Sequence, residues 1–402
     1  MPGSLADFCT EALAAHDCPS VSVALVEGGG PVRRAAFGLA DTAHRRAATP
    51  ETVYKLGSVT KTFTATAVCL AADRGLLDLD APVPGRYGDP APTVRQLLGH
   101  RGGFGAFYAF HYGPGDSPVD PADYLVPLRP PGTGWEYANL GYYLLGRLLE
   151  QATGRPLAGY LRSEVFEPLG MVDTHVGADY AGHAPTAERY TVDGRAYPRC
   201  STPHPGASDA WATATDVLRF AEGYRSLLRP ETAAAMLDPL PIDAAMGYGL
   251  GWQVSTGPGP RVLGHGGGGG GTAAMMLTVP ERGVSLAVLC NSTAKTARDA
   301  VLDRLMTELV PGSRPADYLA NFAEPAEPLA LPAGAWAGAV HTPKGEVPLA
   351  LEVLTDGRVT VELATGARAT APAAASARWA LRVQLPLQLP TPDAELAGPL
   401  LG

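Results

Sequence analysis

The stretch Lys55-Leu-Gly-Ser-Val-Thr-Lys61, with the apolar run that follows it to Leu76, is the part of the chain that determines how the rest is interpreted. Gly57 permits a sharp entry, and apolar residues then recur at helical spacing until Gly75, which predicts a helix that begins at this point. One helical turn takes about 3.6 residues, so Ser58 and Lys61 emerge on one face of that helix. The spacing therefore predicts a nucleophile with a base beside it.

The lysine must lose its charge before it can act as a base. At its usual pKa only about one lysine in a thousand carries a free amine at neutral pH, so the site has to lower the pKa of Lys61 to about 7 to 8. Burial lowers a lysine pKa, and the positive end of the helix dipole acts in the same direction. We therefore expect Lys61 in a buried pocket at the head of the helix.

A second serine and lysine at the same spacing, Ser292 and Lys295, shows that this pattern alone is weak evidence. The chain has four lysines, so a chance pairing is uncommon but has to be considered. Polar groups of suitable types follow Ser58 along the chain, and none follows Ser292. We interpret Ser292 as a helix-capping serine beside a surface lysine, and Ser58 as the nucleophile.

The polar groups in question include Tyr137 and Asn139, which stand at the predicted start of a helix. Residues two apart in an extended segment face the same way. Tyr137 could then relay a proton to a leaving group, and the Asn139 amide could hold Lys61 and a substrate carbonyl. The alternative is a helix cap with a packed tyrosine.

His265 is followed by six glycines, and it lies between predicted strands. A histidine beside a cleft can orient a substrate, and the backbone amide of Gly268 can approach an acyl oxygen because no side chain intervenes. The alternative is a flexible turn with an incidental histidine. His100, in a glycine-rich turn, is interpreted as a structural histidine rather than a base. The aromatic run 104–112 is either a satellite core or one wall of a pocket.

Composition excludes several classes of protein. The chain has 402 residues, 46% of them apolar, and a net charge of −9, so a large core is expected and nucleic acid is not an expected partner. No basic leader precedes an apolar run at the start, and no apolar stretch reaches the 18 or so residues that span a bilayer. Five scattered cysteines indicate reduced thiols. We expect a cytoplasmic protein that does not bind membranes.

The hydrophobic periodicity predicts strands and helices in an order that places helices on an antiparallel sheet. The glycine-rich residues 27–31 predict a hairpin between the first two strands. The helices are expected at 5–15, 60–75, 93–98, 140–153, 157–171, 215–228 and 297–309, and the strands at 21–26, 32–39, 250–254, 261–264, 273–279 and 284–290. We expect a catalytic domain over 1–312, a proline-rich linker over 313–333 and a small β domain over 334–402.

Six motifs in this order and spacing resemble the serine β-lactamase and D,D-peptidase family, in its class C-like branch, over about residues 5–310. They are Gly57-Ser-Val-Thr-Lys61, Leu97-Leu-Gly-His-Arg-Gly-Gly103, Tyr137-Ala-Asn-Leu-Gly-Tyr142, Pro168-Leu-Gly-Met171, Tyr248-Gly-Leu-Gly-Trp252 and His265-Gly-Gly267. The resemblance implies an α/β fold of the α+β type: an antiparallel sheet flanked by helices, an all-helical subdomain and, in this chain, a small C-terminal β domain.

The resemblance also implies an activity and the residues for it. Ser58 would attack an acyl carbon and form an acyl-enzyme, while Lys61 and Tyr137 would share the proton traffic as a coupled pair. Asn139, His265 and Gly267 would position the substrate. The amides of Ser58 and Gly268 would form the oxyanion hole. No metal or organic cofactor is implied, and the partners are a small ester or amide and, in transfer, an amine acceptor.

Two departures from the family pattern argue against penicillin hydrolysis and against an exported enzyme. His265 stands where β-lactamases usually carry lysine, so a fixed positive charge for a substrate carboxylate is missing at neutral pH. We also expect that the chain is not exported, whereas cell-wall peptidases and β-lactamases act outside the cytoplasm. Intracellular members of this branch include esterases, amidases and acyl-transferring enzymes of antibiotic biosynthesis.

We therefore expect a serine hydrolase or acyltransferase that acts on a small ester or amide. The first alternative is an amide-ester exchange transacylase of antibiotic biosynthesis. A D-aminopeptidase or a β-lactamase follows, and then a penicillin-binding sensor without catalysis. A sensor would be expected to lack Ser58, Lys61 or Tyr137, and all three are present. The oligomeric state stays open.

Overall fold

The computed structural model describes residues 4–85, 87, 89–112, 119–319, 328–329, 331–342, 345–375, 381–383, 385, 387, 389 and 396. It divides the chain into two compact units, Met1–Ala320 and Asn321–Gly402. Residues 320–327 and 330 of the predicted linker lie outside the described residues. The predicted domain boundaries remain a proposal. No helix among the described residues is long and apolar enough to cross a membrane.

The first unit contains nine of the described helices and two sheets, one of nine strands and one of three. The helices are α1 Leu5–Ala15, α2 Thr60–Asp73, α3 Val94–Leu98, α4 Asn139–Thr153, α5 Leu157–Leu161, α6 Pro205–Ser208, α7 Ala214–Gly223, α8 Pro230–Met236 and α9 Thr296–Leu309. The strands are β1 Ser20–Val26, β2 Arg33–Asp41, β3 Arg46–Ala47, β4 Tyr54–Lys55, β5 His175–Val176, β6 Ala210–Ala212, β7 Leu240–Pro241, β8 Met246–Tyr248, β9 Gln253–Ser255, β10 Leu263–Gly268, β11 Ala273–Val279 and β12 Val284–Cys290.

Nine of these strands form one antiparallel sheet in the order β3-β2-β1-β12-β11-β10-β9-β8-β7. The inner strands are buried on both faces because helices cover each side. Alternate residues of β1 divide between two cores: Val23 and Leu25 pack toward α1 and α9, while Ala24 and Val26 face the larger core that contains α2 and α4. The expected antiparallel sheet flanked by helices is confirmed.

Helix α2 is buried on all sides, so its polar residues need partners within the protein. Four threonines at alternate positions solve this by donating to backbone carbonyls. Thr60 donates to Gly57 O at 2.6 Å, Thr62 to Val59 O, Thr64 to Gly206 O and Thr66 to Thr62 O. The helix that carries Lys61 is therefore fixed inside the molecule.

The second unit is an antiparallel meander whose strands are β13 Gly334–Thr342, β14 Gly345–Val353, β15 Arg358–Leu363, β16 Arg368–Ala374 and β17 Arg382–Val383. Turns at Gly357 and Gly366 join consecutive strands, and both glycines have a positive φ. A small β unit in this part of the chain agrees with the sequence prediction.

Several predicted boundaries are wrong. The helix expected over 157–171 ends as a single wide turn at Arg162–Phe166. The strand expected over 250–254 begins only at Gln253 as β9, because glycines at 249 and 251 break the run and residues 249–252 form a turn. The glycine turn expected after His265 begins later than predicted, because β10 continues to Gly268. Helix α8 was not predicted.

The Phe63 side chain on α2 packs against two aromatic side chains from neighbouring helical segments. Its ring centroid lies 5.3 Å from that of Phe166 and 4.6 Å from that of Phe220, both edge to face. We predict that Phe63→Ala lowers the free energy of unfolding by about 3 to 5 kcal/mol, because it leaves a cavity in a closed core. Urea denaturation followed by tryptophan fluorescence measures this. The control Val172→Ala, at a side chain 79% exposed, should change it by less than about 0.5 kcal/mol.

Candidate active site

Ser58 lies in a short helical turn, Gly57–Val59, that leads directly into α2. Gly57 adopts φ +54°, a conformation that residues with a Cβ rarely take. The turn places Lys61 one helical turn after the serine, and its Nζ lies 3.0 Å from Ser58 Oγ. The proximity that the sequence spacing predicts is therefore present.

The Lys61 amine is buried and surrounded by neutral acceptors. Nζ lies 2.7 Å from Asn139 Oδ1 and 3.1 Å from Ala207 O, and no carboxylate among the described residues forms an ion pair with it. Burial lowers the pKa of Lys61 well below its usual value. A neutral amine has two N–H bonds and one lone pair. If the two N–H bonds donate to Asn139 Oδ1 and Ala207 O, the lone pair faces the Ser58 hydroxyl.

Tyr137 and Asn139 come from the chain that enters α4. The Tyr137 phenol hydrogen-bonds the Ser58 side chain, and its ring centroid lies 4.7 Å from Lys61 Nζ. Burial, followed by the nearby Tyr108, raises the pKa of Tyr137 well above its usual value, so the phenol keeps its proton. Asn139 Nδ2 donates to Phe107 O at 2.7 Å, which turns Oδ1 toward Lys61.

His265 does not reach toward open solvent. Its Nδ1 lies 2.7 Å from Gly266 O, and its Nε2 lies 2.8 Å from the Tyr248 hydroxyl. A carbonyl only accepts, so Nδ1 carries the proton and Nε2 accepts from Tyr248. Burial and the neighbouring Lys61 lower the pKa of His265 to about 3. The neutral ring is fully occupied by protein partners, which makes it a positioning group rather than the predicted substrate ligand.

His100 lies beneath the same cluster. Its Nδ1 accepts from the backbone N–H of Ala138 at 3.1 Å, which fixes the segment between Tyr137 and Asn139. The His100 ring centroid lies 4.4 Å from that of Tyr137 and 4.7 Å from that of Tyr248. Burial and the nearby Lys61 hold the pKa of His100 well below its usual value. These contacts agree with the structural role predicted for this histidine.

Strand β10 passes next to the Ser58 turn. Gly268 is paired with Ala273, and the adjacent Gly269 N–H donates to Thr272 O. In an antiparallel ladder the bonded pairs alternate, so the Gly268 N–H points away from β11. Strand β9 pairs with only Leu263 and Gly264 of β10, which leaves this edge open. The Gly268 amide is therefore free to face an acyl oxygen near Ser58.

The close approach depends on two missing side chains. A Cβ at Gly267 would lie 1.9 Å from Leu56 O and 3.0 Å from Ser58 N, and a Cβ at Gly57 would lie 2.8 Å from Gly268 N. Real Cβ atoms do not come this close to backbone atoms. Glycine at 267 thus allows the strand to lie against the serine turn, which is a spacing role that its place in the predicted motif did not reveal.

The aromatic run 104–112 contributes both to the core and to one wall of a pocket, the two alternatives that the sequence left open. Phe104 and Phe107 are buried in the main core. Tyr108, which is 67% exposed, and Phe110 line a small pocket beside Ser58. The run therefore joins the core to one wall of the cleft.

Several groups at the site were not predicted. They are the carbonyl of Ala207, the buried ion pair of Lys55 with Asp209 at 2.9 Å, and the side chains of Arg189 and His204. All but Lys55 come from residues 173–210, in which the sequence predicts no helix and no strand. The only signal was a concentration of histidine, proline and glycine, and it does not indicate which side chain turns inward.

No group of three or more histidine, cysteine, aspartate or glutamate side chains in the described part of the chain could hold a metal ion. The reactive groups that the geometry brings together are the serine hydroxyl, the lysine amine and the tyrosine phenol.

A serine hydroxyl hydrogen-bonded to a buried amine and to a phenol, on an antiparallel sheet with helices on both faces, is the arrangement of a serine hydrolase. The family model of the Beta-lactamase family matches residues 5–310. The chain belongs to this family.

Similar proteins fall in the same class. D-aminopeptidase of Brucella ovis is 30% identical over 375 residues, which cover 87% of this chain and 68% of that protein. The structure of SurE with D-Leu is 25% identical with a TM-score of 0.71, covering 93% of this chain and 88% of SurE. D-amino acid amidase from Ochrobactrum anthropi SV3 is 25% identical with a TM-score of 0.64, covering 76% of this chain and all of the amidase.

The lowered pKa of Lys61 has a measurable consequence. Only the neutral amine can accept the Ser58 proton, so the rate of Ser58 acylation should rise with pH and level off above the pKa of Lys61, well below its usual 10.5. Stopped-flow measurement of acylation by an activated ester gives this profile. Lys61→Met should remove the dependence and lower the rate at neutral pH about hundredfold or more. An unchanged profile in that variant would assign the titration to another group.

The close approach of β10 gives a second prediction. Gly267→Ala should reduce Ser58 acylation about hundredfold or more, because the added Cβ displaces the serine turn and small displacements of this kind are costly. Gly159→Ala is the matched control, since no atom lies within 4 Å of a Cβ at that helical position. The control should keep full activity, and labelling of Ser58 by a fluorophosphonate followed by mass spectrometry compares both. Normal labelling of Gly267→Ala would show that β10 can move away from the serine turn without loss of Ser58 reactivity.

Proposed function

We propose that this protein is a serine acyl-enzyme hydrolase of small amides or esters, with Ser58 as the nucleophile and Lys61 as the base. The observation that carries the proposal is the contact of Lys61 Nζ with Ser58 Oγ at 3.0 Å, in a pocket where burial lowers the pKa of the lysine. The amine is thus poised to remove a proton at neutral pH.

The proposed acylation follows from these positions. The Lys61 lone pair accepts the Ser58 proton as Oγ bonds to the acyl carbon, and the carbonyl oxygen becomes an oxyanion. The amides of Ser58 and Gly268 stabilise that charge. Lys61 then returns the proton through Tyr137 to the leaving group, and the bond from carbon to the leaving group breaks. Water repeats the sequence in reverse and releases the acid.

The two pKa shifts divide the roles of the coupled pair. Burial lowers the pKa of Lys61 and raises the pKa of Tyr137, so the neutral amine and the neutral phenol are the stable combination. A phenolate base would require the opposite shifts. We therefore assign proton removal to Lys61 and proton delivery to Tyr137, with Asn139 holding the amine.

The relatives favour particular substrates for a first test. Their names refer to D-aminopeptidase, to D-amino acid amidase and to a complex with D-Leu. This supports an amide or ester that contains a D-amino acid residue. His265 is neutral, so it supplies no charge for the carboxylate of a β-lactam on the leaving-group side. Five buried free thiols support a cytoplasmic location.

A substrate panel tests the proposal: p-nitrophenyl esters, D-amino-acid amides and a cephalosporin, each with and without an added amine. Wild type should turn over at least one ester or amide through an adduct on Ser58 that mass spectrometry detects. Ser58→Ala should abolish turnover and keep the fold. Ser292→Ala, at the other serine spaced three residues before a lysine, should keep full activity. Turnover retained in Ser58→Ala would place the nucleophile elsewhere.

The same panel separates the other candidate functions. A new amide formed in the presence of the amine would identify acyl transfer, which shares the first half-reaction with hydrolysis. A permanent adduct from the cephalosporin, with no turnover of any ester or amide, would identify a penicillin-binding sensor and contradict the proposal.

A further inference from the structure

A small cavity opens beside Ser58, and Tyr137 is not among the residues that line it. Its volume is about 30 Å³, and its walls include Lys55, Tyr108, Phe110, Arg189, His204 and Gly270. A water molecule takes about 30 Å³ in the liquid, so the enclosed part admits only a small terminal group. The rest of any substrate has to lie in the open cleft, along the exposed Tyr108.

The charges around this cavity do not cancel. Lys55 pairs with Asp209 at 2.9 Å, with both side chains almost fully buried, so that pair is neutral overall. Lys61 is held toward its neutral form, and burial lowers the pKa of His204 to about 3. Arg189 remains as the uncompensated charge among the described residues that line the cavity.

Arg189 is 8% exposed and is bound by neutral groups alone. Its Nη1 donates to Gly270 O and contacts Cys200 Sγ, and its Nη2 donates to Pro198 O, all at 3.2 Å. Within the described part of the chain it forms no ion pair with a carboxylate. A guanidinium has five N–H donors, so two are left after these contacts. A buried cation without a counter-charge strongly favours an anion that can reach it.

His204 adds no charge to the same cavity. Its Nδ1 lies 3.3 Å from Ser208 Oγ, and its buried Nε2 has no hydrogen-bond partner among the described residues. Burial keeps the ring neutral, so Arg189 is the group on these walls that offers a positive charge to a substrate anion.

The position of Tyr137 decides which half of the substrate enters the cavity. In the proposed function Tyr137 delivers a proton to the leaving group, so the leaving group lies on its side of Ser58. Tyr137 is not among the residues that line the cavity, so we assign the cavity to the acyl half. We propose that Arg189 makes this enzyme select substrates whose acyl half ends in a carboxylate, and that an ammonium in that half is disfavoured.

This inference rests on the proposed function and deepens it. An unblocked amino acid amide carries its ammonium in the acyl half, next to the scissile carbonyl. The positive cavity would oppose that charge, since the described residues that line it include no unpaired acid. The inference therefore separates this chain from a hydrolase that requires a free amino terminus.

The test uses three p-nitrophenyl esters of similar length that differ in the charge at the end of the acyl chain: the monoester of adipic acid, the hexanoate and the ester of aminocaproic acid. In wild type, kcat/KM should be highest for the adipate ester and lowest for the aminocaproate ester. Hydrogen bonds to charged groups contribute about 1.5 to 3 kcal/mol, so the adipate ester should exceed the hexanoate about tenfold to hundredfold.

Arg189→Gln should lower the ratio of kcat/KM for adipate to that for hexanoate about tenfold or more, and Arg189→Lys should retain most of it. Arg34→Gln is the matched control: it removes the same charge from an exposed ion pair with Glu51 and should leave the ratio unchanged. If Arg189→Gln does not fold, the wild-type ranking and the lysine variant still decide the question.

Equal rates for the three wild-type esters, or a preference for the aminocaproate ester, would overturn the inference. So would a ratio that stays unchanged in a folded Arg189→Gln. Failure of the proposed function gives a different result, because no ester would then form an adduct on Ser58 in any variant.

Discussion

The site depends on a buried lysine, Lys61, that has no carboxylate beside it among the described residues. An ammonium in that position would lack solvent, and its three neighbours, Ser58, Asn139 and Ala207, are neutral. The protein therefore favours the free amine by making the charged form costly, rather than by placing another cation next to it. The low pKa of Lys61 follows from the burial of α2 on all sides. For the same reason the other buried polar residues of the helix are uncharged threonines whose hydroxyls donate to backbone carbonyls.

This constraint also explains the surroundings of the amine. A carboxylate near Lys61 would restore its charge and remove the base, and the groups that touch it are amides, hydroxyls and aromatic rings. The imidazoles of His100 and His265 are kept neutral by burial. They hold backbone and side chains in place without adding charge. The cluster beneath Ser58 is thus polar enough to fix geometry and uncharged enough to leave the lysine pKa low.

The sequence predicts a large part of this arrangement, and the reason is local. Ser58 and Lys61 are one turn apart, and Tyr137 and Asn139 stand at the start of α4. Helix geometry and a two-residue spacing were therefore sufficient to predict that the side chains within each pair face the same way. The strands β11 and β12 were predicted with correct bounds because both are uninterrupted apolar runs between turn residues. Local patterns of this kind survive folding because the buried sheet reinforces them.

The remaining features depend on contacts between distant segments. The role of Gly267 appears only when β10 lies against the Ser58 turn, which no periodicity encodes. His265 looks like a cleft residue in the sequence, and the structure turns its ring toward Tyr248. Arg189 and Asp209 lie in a stretch without regular structure, where the direction of a side chain follows from tertiary packing alone. Sequence reasoning could count these charges but could not pair them.

The pairing of those charges determines which cation in the cavity beside Ser58 is left without a counter-charge. In the proposed function, the neutral groups around Lys61 and Tyr137 handle the proton of the leaving group. Lys55 is neutralised by Asp209, while Arg189 has no carboxylate partner among the described residues. The placement of Asp209 against Lys55 therefore leaves Arg189 as the cation that a substrate anion would meet in that cavity.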